Sequence, residues 1–241
     1  MAEQGAYPDG ARHGQVVHEL GRQIVRGVFA PGQLVPTEEQ LVAEFGLGRS
    51  ALREGVKVLA GKGLIETRTS AGTRVRPRES WNLLDPDVLR WRFAEPVGDE
   101  DIAALADFRV AFEPGAARLA AEARTPAGLQ GIEAAMAALW ATADEPAAFI
   151  EADLAFHRAV FLAAENDLLL YVHDVISVAM SSVRPIHTQS IGHNKDTLPN
   201  HARVATSIRK RHHRQAEAAM REIVEVARAD ALAGRPDPVT R

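Results

Sequence analysis

Pro36-Thr37-Glu38-Glu39-Gln40, Phe45-Gly46-Leu47-Gly48-Arg49-Ser50-Ala51-Leu52-Arg53-Glu54, and Gly63-Leu64-Ile65-Glu66 running on to Gly72-Thr73-Arg74-Val75 decide the fold of this chain. Thr37 and Gln40 have the spacing of a capping box, so a helix starts there. Leu41, Val42 and Phe45 form its apolar side. Gly46 suits the left-handed residue that ends it. A second helix carries Leu52, Val56 and Leu59 on one face, Gly63 closes it, and Gly72 marks the turn between two short extended runs. Helix, tight turn, helix and two-stranded wing are the parts that set one helix in a DNA major groove.

Arg49, Arg53 and Lys57 recur at i, i+4 and i+8, so that second helix has a cationic face. A solvated surface explains such a stripe equally well when it is taken alone. The distribution of charge favours nucleic acid. The chain carries a net −4, but residues 1–78 are +3 and the remainder −7, and residues 45–78 hold 8 basic against 2 acidic side chains. Positive charge is concentrated where phosphates would be met.

These motifs resemble the GntR family of bacterial regulators, in the FadR-like branch whose helical ligand-binding domain is of the FCD type. The resemblance implies that Arg49 and Arg53 contact DNA from the start of the recognition helix, with Ser50 beside them and Lys57 further along. It also implies that the wing tip at Gly72 approaches the minor groove. Arginine on guanine O6/N7 is the commonest specific base contact. Glu39 stands where many relatives carry another DNA-contacting arginine, and a carboxylate instead accepts from cytosine N4. Ser70 and Ala71 replace the Gly-Arg often found at the wing tip, so the operator of a relative does not transfer.

At 241 residues, with 46% hydrophobic and 25% charged side chains, the chain is long enough for two globular domains. There is no cysteine, which excludes disulfides, zinc thiolates and thiol chemistry. No apolar run is long enough to span a bilayer, and Met1 to Gly14 lacks the core of a signal peptide, so a bacterial cytoplasmic protein with no membrane partner is expected. The expected organisation is a flexible tail over 1–14 and a winged helix-turn-helix over 15–77. A linker over 78–99, an all-helical effector domain over 100–233 and a flexible tail over 234–241 follow. In the linker, Asp85 is an N-cap and Pro86 fits the first turn, so a short helix begins there. Trp81 and Trp91 flank it as packing residues expected to set the angle between domains.

From about Glu100 every segment reads as helix: to Ala123, from Pro126, from Pro146 to Glu165, from Leu168 to about Arg184, from Pro199 to His212, and from Arg214 to Leu232. Short turns between them predict an antiparallel bundle, so the fold class is mainly α. Nothing in this half reads as a phosphate loop or a catalytic set. His212 and His213 fall in a solvated turn, and His187, His193 and Arg184 near a polar loop.

Asp153 and His157 lie one turn apart on one helix, and His201 opens a later one. A carboxylate with two imidazoles suits Zn²⁺, Ni²⁺ or Mn²⁺. By spacing alone the Asp153–His157 pair fits an ordinary ion pair as well. The resemblance adds that relatives with metal sites use these positions and usually a further histidine 22 residues on, where this chain has Ile223. Loss of that ligand leaves either a weaker metal site or a polar pocket that takes the effector directly. The segment Trp81 to Trp91 resembles the galactonate-operon repressors of the family, in which the arginine at the position of Arg109 holds the ligand. The alternative for Arg109 is an i,i+4 surface pair with Glu113.

The expected function is a ligand-responsive repressor of sugar-acid genes, binding an operator as a homodimer and released by a carboxylate. That effector engages Arg109, Asp153, His157 and His201. A regulator answering to lactate, gluconate or a dicarboxylate uses the same chemistry. A helical-bundle metallohydrolase is the remote alternative, and the basic winged head argues against it.

Overall fold

The computed structural model describes residues 12–68, 71–187 and 191–233, and within them every side chain except Arg12, 184–187 and 191–193. The expectations for Ser70, for the side chains of Arg184, His187 and His193, and for the tails over 1–11 and 234–241 lie outside the described residues. The chain forms two compact units, Met1–Ala94 and Glu95–Arg241.

The first unit holds α1 (Arg12–Val25), α2 (Glu38–Phe45), α3 (Arg49–Gly61), β1 (Ile65–Arg68), β2 (Gly72–Val75), a 3₁₀ turn at Arg78–Ser80, and α4 (Pro86–Arg92). Val16, Val17, Leu20 and Ile24 line one side of α1 and are fully buried, so α1 starts within the expected tail. The capping box is formed: Gln40 Oε1 accepts from the Thr37 amide at 2.8 Å, and Thr37 Oγ1 accepts from the Gln40 amide at 3.4 Å. Gly46 ends α2 at φ 63° and ψ 26°, a conformation that costs a residue with a Cβ. β1 and β2 pair antiparallel, with Ile65 opposite Val75 and Arg68 opposite Gly72.

Residues 78–94, expected within a linker, fold as part of this unit. Trp81, Val88 and Trp91 join Leu20, Leu52, Leu59 and Val75 in one apolar cluster. Both tryptophans are therefore core residues of the head, and Trp81 Nε1 donates to the Arg76 carbonyl at 2.9 Å. Asp85 caps α4, accepting from the amides of Asp87 (2.9 Å) and Val88 (3.3 Å). Lys62, just past α3, extends Nζ to both oxygens of Asp85 at 2.8 Å and to Asp87 Oδ2 at 2.7 Å. The Asp87 side chain is fully buried. One enclosed cation thus ties the end of α3 to the start of α4.

The second unit holds α5 (Asp99–Ala123), α6 (Pro126–Ala141), α7 (Pro146–Ala163), α8 (Asp167–His187), α9 (Ile191–Arg209) and α10 (His213–Ala233). Thr125 caps α6 through its hydroxyl, which accepts from Gly128. The buried small residues Ala116, Ala117, Ala120 and Ala121 let α5 lie close against α10. The expected start of the fifth helix at Pro199 is corrected, because α9 begins at Ile191 and passes through the proline. Pro199 gives up one backbone hydrogen bond, and the buried Leu198 anchors the turn before it. Among the described residues no helix is long and apolar enough to cross a membrane.

Lys62→Met keeps the bulk of the side chain but removes the cation shared by Asp85 and Asp87, leaving Asp87 with the longer 3.4 Å contact to Arg90. Breaking one side of a buried ion pair costs about 3–5 kcal/mol. The urea midpoint of the full chain should fall accordingly, and an unchanged midpoint would show that the cluster does not hold α3 to α4.

Candidate functional site

Helical spacing brings together what the sequence scatters. On α7, Asp153 and His157 project from one face, α9 supplies His201, and α5 supplies Arg109 and Glu113. All five are buried, with relative exposures of 3%, 0%, 2%, 7% and 2% in that order. At such depth an ionised group persists only if it is paired or binds a cation.

The hydrogen bonds around the imidazoles fix their chemistry. A backbone carbonyl only accepts, so His201 Nδ1, 2.9 Å from the Thr197 carbonyl, carries the hydrogen. In the neutral ring Nε2 is then a lone pair, and it faces Asp153 Oδ1 at 2.9 Å. His157 repeats the arrangement: Nδ1 lies 2.7 Å from Glu113 Oε2, and Nε2 faces Asp153 Oδ1 at 3.8 Å. Phe156 stands edge-on to both rings at centroid distances of 6.0 and 5.1 Å. One carboxylate oxygen and two imidazole nitrogens thus lie within 4.8 Å of one another. Three electron-rich atoms at that separation repel unless a positive charge sits among them. The donor set fits a divalent ion of the Zn²⁺, Ni²⁺ or Mn²⁺ type, and three protein ligands leave positions open. Ile223, where the resemblance looks for another histidine, packs in the apolar core.

Glu113 is the residue the sequence reading undervalued. Burial alone would push its carboxyl up, but the Arg109 guanidinium and the His157 imidazole outweigh that and hold it well below the usual carboxylate range. Arg109 Nε donates to Glu113 Oε1 at 2.6 Å. The i,i+4 pair weighed for Arg109 is therefore formed, but in the interior instead of on a helix surface. Through Glu113 it reaches His157, so an arginine, a carboxylate and a histidine make one chain ending at the donor set. Carboxylates that receive the outer N–H of a ligating histidine orient the ring and raise its basicity. The only hint of this in the sequence is the four-residue spacing of Arg109 and Glu113, which by itself says nothing of His157.

His173 on α8 also escaped the sequence reading. It stacks on Phe161 at a centroid distance of 4.5 Å. Burial is the main cause that pushes its pKa down to about 4. It is a neutral interior imidazole. His212 and His213, expected in solvent, are exposed.

On the first unit, Arg49, Arg53 and Lys57 point outward with side-chain exposures of 66%, 65% and 71%. Ser50 and Gly72 are exposed as well. Glu39 Oε1 lies 3.7 Å from Arg49 Nη2. Arg53 Nε donates to both carboxylate oxygens of Glu38, at 3.2 and 3.1 Å, a partner absent from the sequence reading. Exposed pairs of this kind are worth about 0–1 kcal/mol, so phosphates or base edges can displace them.

A profile of the bacterial regulatory proteins of the gntR family matches residues 12–75, and a profile of the FCD domain matches residues 98–226. Over 170 residues the chain is 38% identical to the galactonate operon transcriptional repressor of Escherichia coli K12, covering 70% of this chain and 72% of that protein. The HTH-type transcriptional repressor NanR of Cronobacter sakazakii is 29% identical over 208 residues, covering 85% of this chain and 79% of that one. A solved structure of Lar, described as controlling expression of the Listeria monocytogenes agr system, matches with a TM-score of 0.65 at 16% identity. That match spans 95% of this chain and 99% of the other, a likeness of fold.

Glu113→Gln should weaken zinc binding about 10–100-fold in a competition titration, whereas an unchanged affinity would remove Glu113 from support of the donor set. A second outcome concerns acid. His173 titrates near 4 in the folded chain and near 6.5 when unfolded, so its contribution is complete above pH 6.5 and is lost as pH falls toward 4. The loss amounts to about 3 kcal/mol. With chelator present, urea midpoints of His173→Leu should fall less between pH 7 and 4 than those of the parent, and parallel profiles would count against this assignment.

Proposed function

The chain belongs to the GntR family of bacterial regulatory proteins, with an FCD domain following its DNA-binding head. From that premise we propose that it represses genes for sugar-acid use and leaves its operator when a carboxylate effector binds the helical domain. It is a DNA-binding transcriptional regulator and not an enzyme. The observation that carries the proposal is the buried convergence of Asp153, His157 and His201, braced through Glu113 by Arg109. A relative at 38% identity is the galactonate operon repressor, which supports a sugar acid as the class of effector.

Asp153, His157 and His201 would hold a divalent ion, which would supply a Lewis-acid grip on effector oxygens. The residues do the rest. Glu113 keeps the His157 lone pair turned inward, and the Thr197 carbonyl does the same for His201. Arg109 supplies positive charge beside the centre, and its guanidinium suits a second, effector carboxylate. In the head, Arg49 and Arg53 present guanidinium edges to bases, with Ser50, Lys57 and Gly72 around them and Glu39 available to a cytosine amine. A homodimer fits an operator with two half-sites. Release requires that the effector bind the DNA-free arrangement more tightly than the DNA-bound one.

Fluorescence anisotropy on DNA from just upstream of the protein's own gene tests the proposal. Specific binding should be reversed by galactonate and not by galactose, and specific binding indifferent to sugar acids would refute the effector class while leaving DNA recognition standing. Arg49→Ala should cost about 1–3 kcal/mol on operator and less on random DNA, while equal losses would reduce Arg49 to a phosphate contact.

A further inference from the structure

Asn194 lies on α9, fully buried, and neither its Oδ1 nor its Nδ2 has a hydrogen-bond partner among the described residues. A buried polar atom left without a partner loses its hydration and gains nothing for it, so native structures rarely keep one without a use. Here one side chain keeps two. His201 follows Asn194 by seven positions, and a heptad brings the same helix face round to within about 20°. The two side chains therefore share a face, displaced by roughly 10 Å along the axis. Thr197 bridges the two residues along the helix: its hydroxyl donates to the Asn194 backbone carbonyl at 2.8 Å, and its own backbone carbonyl accepts from His201 Nδ1 at 2.9 Å.

The axial displacement keeps Asn194 from sharing an ion with His201, so its use must lie elsewhere. A primary amide offers an acceptor and two donors. A carboxylate only accepts and would leave Oδ1 unsatisfied. A hydroxyl both donates and accepts, so one hydroxyl or a neighbouring pair answers both atoms of the amide. A six-carbon polyhydroxy acid held at one end by the buried donor set has hydroxyls along its chain at the reach required, whereas a three-carbon hydroxy acid ends short of it.

We propose that Asn194 binds a chain hydroxyl of the effector and makes the helical domain selective for polyhydroxylated acids over short hydroxy acids. The proposal rests on the carboxylate-effector reading above. Sites built to hydrogen-bond a hydroxyl discriminate strongly against ligands that lack it, because the polar groups of the site are then left unpaired.

The test is calorimetric titration of the zinc-loaded full chain with galactonate, gluconate and lactate, for the parent, Asn194→Leu and Asn194→Ala. The parent should bind at least one hexonate more tightly than lactate. Asn194→Leu should bind that hexonate about 10–100-fold more weakly, leave lactate unaffected, and melt no lower than the parent without ligand, since an unsatisfied amide has been removed. Asn194→Ala should show the same loss for the hexonate and serves if leucine fails to pack. Unchanged hexonate affinity in either folded variant would overturn the proposal and assign the amide to a bound water. A parent that binds lactate as tightly as the hexonates would overturn it too, while leaving carboxylate gating intact. A parent that binds none of the three acids would overturn the effector reading itself.

Discussion

The Glu113 carboxylate, enclosed between the Arg109 guanidinium and the His157 imidazole, is the constraint on which the helical domain depends. An unpaired carboxylate at that depth would cost several kcal/mol or take up a proton. Arg109 removes that choice and keeps it ionised. The ionised Glu113 lies 2.7 Å from His157 Nδ1 and favours the ring hydrogen on that side, which leaves Nε2 facing Asp153. The donor chemistry of this buried site thus depends on the Arg109–Glu113 pair, which supplies none of the three donors. The same contacts join α5 to α7, while the His201–Asp153 contact joins α7 to α9, so the polar centre also fixes how three helices pack.

The two units use charge in opposite ways. In the head, Lys62 lies enclosed between Asp85 and Asp87, shielded from water, and loss of that cation leaves two carboxylates side by side with Arg90 3.4 Å from Asp87. That cluster is architecture. On the recognition face, Arg49, Arg53 and Lys57 stand in solvent with carboxylates beside them, in contacts weak enough to exchange. A DNA-reading surface needs cations that are oriented yet available, and exposed pairing supplies both. Glu38 and Glu39 also sit next to Arg53 and Arg49, so the cationic face of α3 stands in a locally acidic setting.

Much of the head was legible because its signals are local. The Thr37–Gln40 capping box, the left-handed Gly46, and the Asp85-Pro86 start of α4 each involve residues within four positions of one another, and each formed as read. The cluster Asp153, His157 and His201 was also named from the sequence, with the family resemblance carrying its third member. Other features were not legible. Trp81 and Trp91 were expected between domains and lie in the core of the head, because only the packed fold shows which apolar surface they meet. Pro199 read as a helix opening, since a proline's missing N–H is costless there; burial of Leu198 on the preceding turn carried the helix through it.

By itself, then, the chain determined its winged helix-turn-helix, its all-helical second half and the cationic face of α3. These rest on periodicity, caps and charge, which a linear sequence displays directly. Tertiary structure alone decided that Arg109 and Glu113 pair in the interior, that Glu113 lies against His157, that His173 is a buried neutral ring, and that Asn194 is enclosed with its amide unanswered among the described residues. Each of these depends on which face of one helix meets which face of another. A polar residue's role changes from solvated surface to functional group when water is taken away from it, and burial is a property of the packed chain that no spacing along the sequence records.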